Sequence, residues 1–386
     1  MVGMNAVVIP KRLLEPRFGC EIMTLETWRL LDIGPIEPIE TQIIYDMIAQ
    51  GITEGESENT LIICWPAKPL VSLGYFQEIE KDIDLAFCRE NDIFVTRRVI
   101  GGGGVYLDEG QMFYQLIHRV DSPASVRNID AYYRKFLEPP VQAYRNLGID
   151  AEFKPVNDIQ VEGRKISGNG AGDVGDARIL TGNIIFTFNY DMMVKVLKVP
   201  DEKFRDKIAK GLRERLSTIE RETGKTFNRE AVKKDLIHQF EKILDIKLVL
   251  GELTEWERTR MNELKPKYVS DEWLHWRSGG RLDARTVKIS ASSSIGAVNH
   301  KAPGGLMRVT VEDVDNKIKD IVISGDFFIY PQDAISDIEM ALIGAKVGTE
   351  EVLERIKGVY EKQSLESPGV TPEDFDTAIK LALEAK

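Results

Sequence analysis

The chain has 386 residues, 43% hydrophobic and 29% charged, with a formal net charge of −11. That length supports a full core and about two domains, while the acidic balance excludes a general nucleic-acid or anionic-membrane surface, so an anionic ligand must meet a local basic patch. Cys20, Cys64 and Cys88 are too few and too scattered for a disulfide framework and read as reduced thiols of a cytoplasmic protein, and no apolar run reaches the roughly 18 residues of a membrane span.

Residues 1–21 read as an extension ahead of the fold, too short in apolar length for a secretory signal. "NTLIICW" (59–65) and "PLVSLG" (69–74) are β-branched strands. "DIDLAFCREND" (82–92) has the spacing of a short amphipathic helix that buries Leu85, Ala86 and Cys88. "IFVTRRV" (93–99) is a strand that runs into four glycines, Gly101, Gly102, Gly103 and Gly104. Residues 105–120 predict two strands around a turn at Asp108-Glu109-Gly110, and 158–168 a hairpin turning at Glu162-Gly163. A strand follows over 179–188, and from 190 onward the pattern is helical, most clearly over 229–246. Near 273–283 helix gives way to a Gly-rich loop, which predicts a boundary. A hairpin over 304–328 and helices within 331–346 and 349–362 form a second unit. Thr371, Pro372 and Asp374 make a capping pattern for a last helix. The expected fold is α+β with mainly antiparallel strands: a large domain over 22–275, a small α+β domain over 276–362 and a helical tail over 363–386.

Three stretches carry chemistry. In "RRVIGGGGVYLDEGQ" (97–111) no Gly-Lys-Ser/Thr follows, and a strand rather than a helix succeeds the glycines, so neither common nucleotide loop fits. What remains is a strand–Gly turn–strand. Its bare N–H groups can face an anion or flat ligand beside Arg97 or Arg98, or the chain bends there because another backbone crosses it. In "KPVNDIQVEGRKISGNGAGDVGD" (154–176), Lys165 leaves a Gly turn toward Ser167, Gly168, Gly170 and Gly172, one hairpin after Asn157 and Asp158. A solvated lysine and a plain turn share that pattern. So does carboxylate activation with ATP, where a lysine holds carboxylate and phosphate oxygens and an Asp carries Mg²⁺. The third stretch, 198–215, holds seven Lys or Arg against four acids, an excess of +3 in an acidic chain. It is either a solvated helix with i,i+4 pairs or an anion-gathering segment. His118, His238, His275 and His300 are far apart, which speaks against a metal hydrolase.

Taken in this order, the three stretches resemble the lipoate–protein ligase A family, within the wider biotin/lipoate ligase and octanoyltransferase superfamily. "RRVIGGGGVYLDEGQ" is similar to its Arg-Arg-x-x-Gly-Gly-Gly-x-Val-aromatic-x-Asp-x-Gly motif, and "NDIQVEGRKISG" to its Asn-Asp…Gly-Arg-Lys-hydrophobic-Ser-Gly motif. "VPDEKFRDKIAKGLRERLSTI" resembles its adenylate-covering loop, and 304–328 with the helix after it resembles the small C-terminal domain of the longer ligases. The resemblance spans roughly 22 to 362 and implies a biotin/lipoyl ligase-like catalytic domain.

It further implies that Arg98, Gly101, Gly102, Gly103, Gly104, Val105 and Tyr106 line the ATP or adenylate site. Lys165 would be the catalytic residue, touching the lipoyl carboxylate and the phosphate. Asn157 and Asp158 would lie near the phosphate, with Asp158 on Mg²⁺. Lys203, Lys210, Arg213 and Arg215 would belong to the segment that covers the adenylate. Trp65, Val71, Leu73, Arg98, Gly103, Lys165 and Gly168 would hold lipoate. The partner would be a lipoyl-acceptor domain. Leu107 stands where the family has His, Thr181-Gly182-Asn183 where it has His-Gly-Thr, and Ile100 where a Ser or Thr often precedes the glycines. These departures leave the acyl chain and acceptor open. The implied activity is ATP-dependent lipoylation. The alternatives are an octanoyl or lipoyl transferase, or a non-catalytic lipoyl-binding relative. Transferases of the family use a cysteine, which one branch holds just before the lysine motif. No cysteine follows Cys88 in this chain.

Overall fold

The computed structural model describes residues 25–199, 202–277 and 293–385. The expected extension over 1–21 and part of the boundary stretch lie outside them. The first half contains β1 (Glu26–Ile36), α1 (Glu40–Glu54), β2 (Thr60–Pro66), β3 (Leu70–Leu73), α2 (Ile79–Asp82), α3 (Leu85–Glu90), β4 (Phe94–Arg97), β5 (Val105–Leu107), β6 (Gln111–Arg119), α4 (Ile129–Phe136) and α5 (Glu138–Asn146). Next come β7 (Glu152–Lys154), β8 (Asp158–Val161), β9 (Arg164–Ser167), β10 (Asn169–Val174), β11 (Ala177–Ile185), α6 (Tyr190–Val196), α7 (Glu202–Arg215), α8 (Ile219–Thr223), α9 (Arg229–Leu244), β12 (Ile246–Leu250), α10 (Glu255–Tyr268) and α11 (Asp271–Leu274). The second unit has β13 (Ser293–Ala302), β14 (Gly305–Val314), β15 (Lys317–Gly325), α12 (Ala334–Leu342), α13 (Glu351–Gln363) and α14 (Pro372–Glu384).

The main sheet is mixed, in the order β10-β11-β6-β2-β1-β12. Its strands β2, β6 and β11 are buried on both faces, and each residue's side is set by the two-residue period. Leu61, Ile63, Met112, Tyr114, Leu116, Leu180 and Ile184 meet α4, α5 and α9 through Tyr132, Phe136, Tyr144, Leu236 and Phe240. Ile62, Cys64, Phe113, Ile117 and Ile179 face the other way, toward α1. Ile43, Ile44, Tyr45, Met47, Ile48 and Ala49 of α1 are all buried, so it is apolar nearly all round, as an enclosed helix must be. Arg29 of β1 and Glu257 of α10 form a buried two-bond ion pair, at 2.5 and 2.9 Å, that ties the two elements together.

One expectation about pairing changes, and the other hairpin, 158–168, forms as expected. The strands flanking Asp108–Gly110 do not pair with each other: β5 joins β3 in the small sheet β4-β3-β5, while β6 joins β2 and β11. The turn therefore passes the chain between two sheets. The hairpin β8-β9, extended by β7, forms a separate three-stranded sheet.

In the second unit, β13-β14-β15 is an antiparallel meander. Its core takes in α12, α13 and also α14, whose Phe375, Ala378, Ile379 and Ala382 are completely buried with Val309, Val311 and Ile323. The tail helix thus shares the small unit's core. Its cap is the one read from the sequence: Asp374 N donates to Thr371 Oγ1 at 3.2 Å and Thr371 N donates to Asp374 Oδ2 at 2.7 Å. Thr371→Ala is expected to lower stability by about 1 kcal/mol, read as a lower urea midpoint at unchanged slope. The two units are clamped by the half-buried pair of Asp82 and Arg308, at 2.5 Å, and by Gly102 N donating to Phe327 O at 3.1 Å.

Candidate active site

A cavity of about 410 Å³ opens where the two sheets, α1 and the second unit converge. Its floor is one face of β6 and β11. Gln111, Phe113 and Gln115 lie opposite Ile185, Asn183 and Thr181 in register, and all six line the cavity. Around them stand the glycine loop, Asn157, Asp158, Lys165 and Gly168, with Gln42 and Tyr45 of α1. Leu212 and Leu216 from the end of α7, and Gly304, Asp326 and Phe328 of the second unit, close it.

Both arginines before the glycines turn inward. Arg97 is fully buried and donates to the carbonyls of Gly74, Tyr75, Trp273 and Leu274 at 2.8–3.0 Å. Arg98 borders the cavity but donates to Ser72 O at 2.9 Å, Gly101 O at 2.6 Å and Gly103 O at 2.9 Å. Burial pushes their guanidinium pKa values down, to about 9 for Arg97 and about 10 for Arg98. Their geometry makes them struts that fix the loop's shape.

The glycines divide between the two readings left open by the sequence. A Cβ on Gly74 would lie 1.7 Å from Gly102 O, and one on Gly101 2.6 Å from Phe327 O, so chains do cross closely there. Gly102 has φ +90°, and a Cβ on it would lie 2.7 Å from the Phe328 ring. Gly103, in contrast, lines the cavity with nothing nearer to such a Cβ than Asp326, at 3.7 Å. Gly104 is outside the lining, against Gln77 and Ile83. Val105 and Tyr106 line it.

Lys165 Nζ sits 2.6 Å from Asp158 Oδ1, with both side chains only partly exposed. The neighbouring backbone is fixed by amides. Asn157 Nδ2 donates to Asn169 O, and Asn169 Nδ2 returns a bond to Asn157 O at 2.9 Å. Asn183 accepts from Gly168 N at 2.8 Å and donates to Gln111 Oε1 at 2.7 Å. Asn183 falls at one of the positions where the sequence departs from the family motif, and it orients the glycine beside Lys165. Lys165 O also accepts from Ser217 N at 2.8 Å, which pins the end of α7 to β9.

Several expected contacts are corrected. Val71 and Leu73 are fully buried in a cluster with Ile79, Ile83 and Tyr106; alternation along β3 sends Ser72 to the cavity instead. Trp65 lies outside the lining, its ring under the Arg229 guanidinium at 4.5 Å. The basic stretch is helical, as one of its two readings had it, and not the loop the resemblance implied; Leu212 of α7 and Leu216 just beyond it face inward. Lys210 and Arg213 point outward and pair with Glu214 and Asp191, and Arg215 is exposed. The side chain of Lys203 lies outside the described residues. Sequence reading missed Gln42, Tyr45, Gln111, Gln115, Asp326 and Phe328. Gln111 and Gln115 did carry a signal: they are amides four residues apart, on one face of a mostly apolar strand.

Residues 39–241 match the family model for the lipoyl protein ligase A/B catalytic domain, and residues 297–379 match that for the bacterial lipoate protein ligase C-terminus. The chain belongs to the lipoate–protein ligase family. Among curated relatives, lipoate-protein ligase LplJ of Bacillus subtilis is 30% identical over 83% of this chain and 91% of its own. Octanoyltransferase LipM of Moorella thermoacetica is 29% identical over 66% of this chain and 100% of its own. The bipartite lipoate protein ligase of Thermoplasma acidophilum, described with its E2 lipoyl domain, aligns with TM-score 0.57 at 30% identity, over 68% of this chain and 100% of that one. A lipoate-protein ligase A bound with ATP aligns with TM-score 0.55 at 27% identity, over 65% and 99%. The protein is therefore an enzyme of the lipoate ligase/transferase family with that family's α+β fold. Among the described residues no helix is long and apolar enough to cross a membrane.

Proposed function

We propose that the protein is an ATP-dependent lipoate–protein ligase, which activates lipoate or a similar acid as the acyl-adenylate and passes it to a lysine of a lipoyl domain. The carrying observation is that the second unit builds part of the cavity. Gly304, Asp326 and Phe328 stand across from the glycine loop and line the same space as Lys165. The full-length match to the octanoyltransferase of Moorella leaves about a third of this chain uncovered, whereas the match to the ligase LplJ reaches over 83% of it. The thiols agree. Cys64 and Cys88 lie outside the cavity lining, and burial pushes both up, Cys88 to about 11. No cysteine occupies 154–176.

In this reading a carboxylate oxygen attacks the α-phosphorus of ATP. The new P–O bond forms as the bond to pyrophosphate breaks. The acceptor amine then attacks the acyl carbonyl, a C–N bond forms, the C–O bond to AMP breaks, and the amine's proton leaves to solvent. Lys165 offsets the oxyanion charge in both steps, and Asp158 holds its ammonium in place. Gly103 and the backbone around it let nucleotide and acid lie against the chain. Among the described residues no group of three metal-ligating side chains occurs. Magnesium fits only as an ion carried mainly by the phosphates, with Asp158 adding one oxygen; it would neutralise phosphate charge.

The test is pyrophosphate release with lipoate and ATP, followed by mass analysis of a lipoyl domain. Acid-dependent release, then a lipoyl mass increment, is expected. Acyl transfer from an acyl carrier protein without pyrophosphate would make it a transferase.

A further inference from the structure

One acid in the cavity wall has no cation paired with it among the described residues. Asp326 stands immediately after β15, and the start of β14 holds it twice. Its N–H donates to Leu306 O at 3.0 Å, and its Oδ1 accepts from Leu306 N. The side chain is thus fixed in direction. Its Oδ2 is the oxygen turned toward the glycine loop, 4.0 Å from where a Cβ on Gly103 would lie. A side chain at 103 would take up the space beside that oxygen, and glycine leaves it open. Among the described residues Oδ2 has no hydrogen-bond or ion-pair partner. Arg308 is close enough to feel the charge, but its two terminal nitrogens bind Asp82, at 3.0 and 2.5 Å. The other acid in the lining, Asp158, is matched by Lys165 at 2.6 Å.

Both substrates of an acid-activating enzyme are anions, and like charges repel more strongly where water is excluded. Neither the acid's carboxylate nor a phosphate of ATP fits against Oδ2. A carboxylate offers acceptor sites only, so the group that belongs there is a donor. The ribose of ATP carries two neutral donors side by side, its 2′- and 3′-hydroxyls. Hydrogen bonds to a charged acceptor are the stronger kind, and an acid that holds a ribose hydroxyl is the device of dinucleotide sites on an unrelated fold.

We propose that Asp326 Oδ2 accepts the ribose hydroxyls of the nucleotide, so that the second unit selects a ribonucleotide for the catalytic domain. The proposal rests on the acid-activating reading. It gives the contacts between the units a purpose: Gly102 N donates to Phe327 O at 3.1 Å, and these two residues are the chain neighbours of Gly103 and Asp326. That bond sets the spacing between the open glycine and the acid.

The experiment measures kcat/KM for pyrophosphate release with lipoate and three nucleotides: ATP, 2′,3′-dideoxyATP, and purine riboside triphosphate, which lacks the adenine amine. The wild type is expected to prefer ATP over the dideoxy nucleotide about tenfold or more. In Asp326→Ala that preference should shrink to about twofold, while the ratio of ATP to purine riboside triphosphate stays as it was. Asp326→Asn keeps an acceptor for Leu306 N, and serves if the alanine variant does not fold; it should lose the same preference. A wild type that uses the dideoxy nucleotide as well as ATP would overturn the proposal. So would equal losses with all three nucleotides, which would make Asp326 a metal-holding or wall residue, and so would a change confined to purine riboside triphosphate, which would move the contact to the base. If lipoate is activated without regard to the ribose hydroxyls, only this proposal falls. If no nucleotide releases pyrophosphate with lipoate, the acid-activating reading falls with it.

Discussion

Lys165→Ala is expected to lower pyrophosphate release with lipoate and ATP by about ten- to a hundredfold, the equivalent of one lost charge-assisted hydrogen bond of about 1.5–3 kcal/mol. The fold should survive. The side chain is 37% exposed and pairs with Asp158, itself 28% exposed, so removal leaves no buried charge stranded. The strand that carries it is held by backbone bonds to β8 and to Ser217, which the substitution does not touch. Asp158→Asn tests the lysine's placement: it keeps the ammonium but weakens what holds it, and a smaller loss is expected. Thermal melting alongside single-turnover pyrophosphate release checks both variants. A folded Lys165→Ala protein with a near-normal rate would remove the lysine from the chemistry.

Adjacent glycines should respond to the same substitution in opposite ways. Gly103→Val places its side chain in free space at the cavity wall, 3.7 Å from the nearest neighbour. Stability should change little, whereas ATP or acid binding should fall by about ten- to a hundredfold, the scale of a 1–3 kcal/mol steric conflict. Gly102→Val meets the Phe328 ring at 2.7 Å and must hold φ +90°. It should cost about 1–3 kcal/mol of folding stability. Chemical denaturation and calorimetry on both variants separate the outcomes. Loss of stability in Gly103→Val with intact binding would make that position a structural bend as well.

The strand–glycine–strand and the lysine hairpin were legible because their chemistry is local. A hairpin's turn residues, and a lysine placed next to them, are neighbours in the chain. Pairing partners were not legible. Nothing in "VYLDEGQMF" says that Val105 and Gln111 begin strands of two different sheets. The facing of β3 was ambiguous for a similar reason. All four of its residues are buried, so its pattern does not say which side looks into a cavity, and Ser72 rather than Val71 or Leu73 does. Helix α1 hid in the same way, since burial all round removes the polar stripe that marks a helix on a surface. The arginines before the glycines looked like anion ligands because the sequence shows charge but not the carbonyls that surround it. Asp326 and Phe328 lie more than 200 residues from Gly103, and only the folded chain brings them to it.

Helix α14 bears on how the enzyme comes into being. Strand β13 fits against it so closely that a Cβ on Gly296 would lie 1.7 Å from Ala382 O. The meander that presents Asp326 and Phe328 to the cavity cannot complete its own core until that helix has left the ribosome. A nascent chain exposing everything up to β15 would therefore display a finished floor, glycine loop and lysine under an unfinished wall. The cavity should therefore be complete only once α14 has emerged, so synthesis itself times when the site is finished.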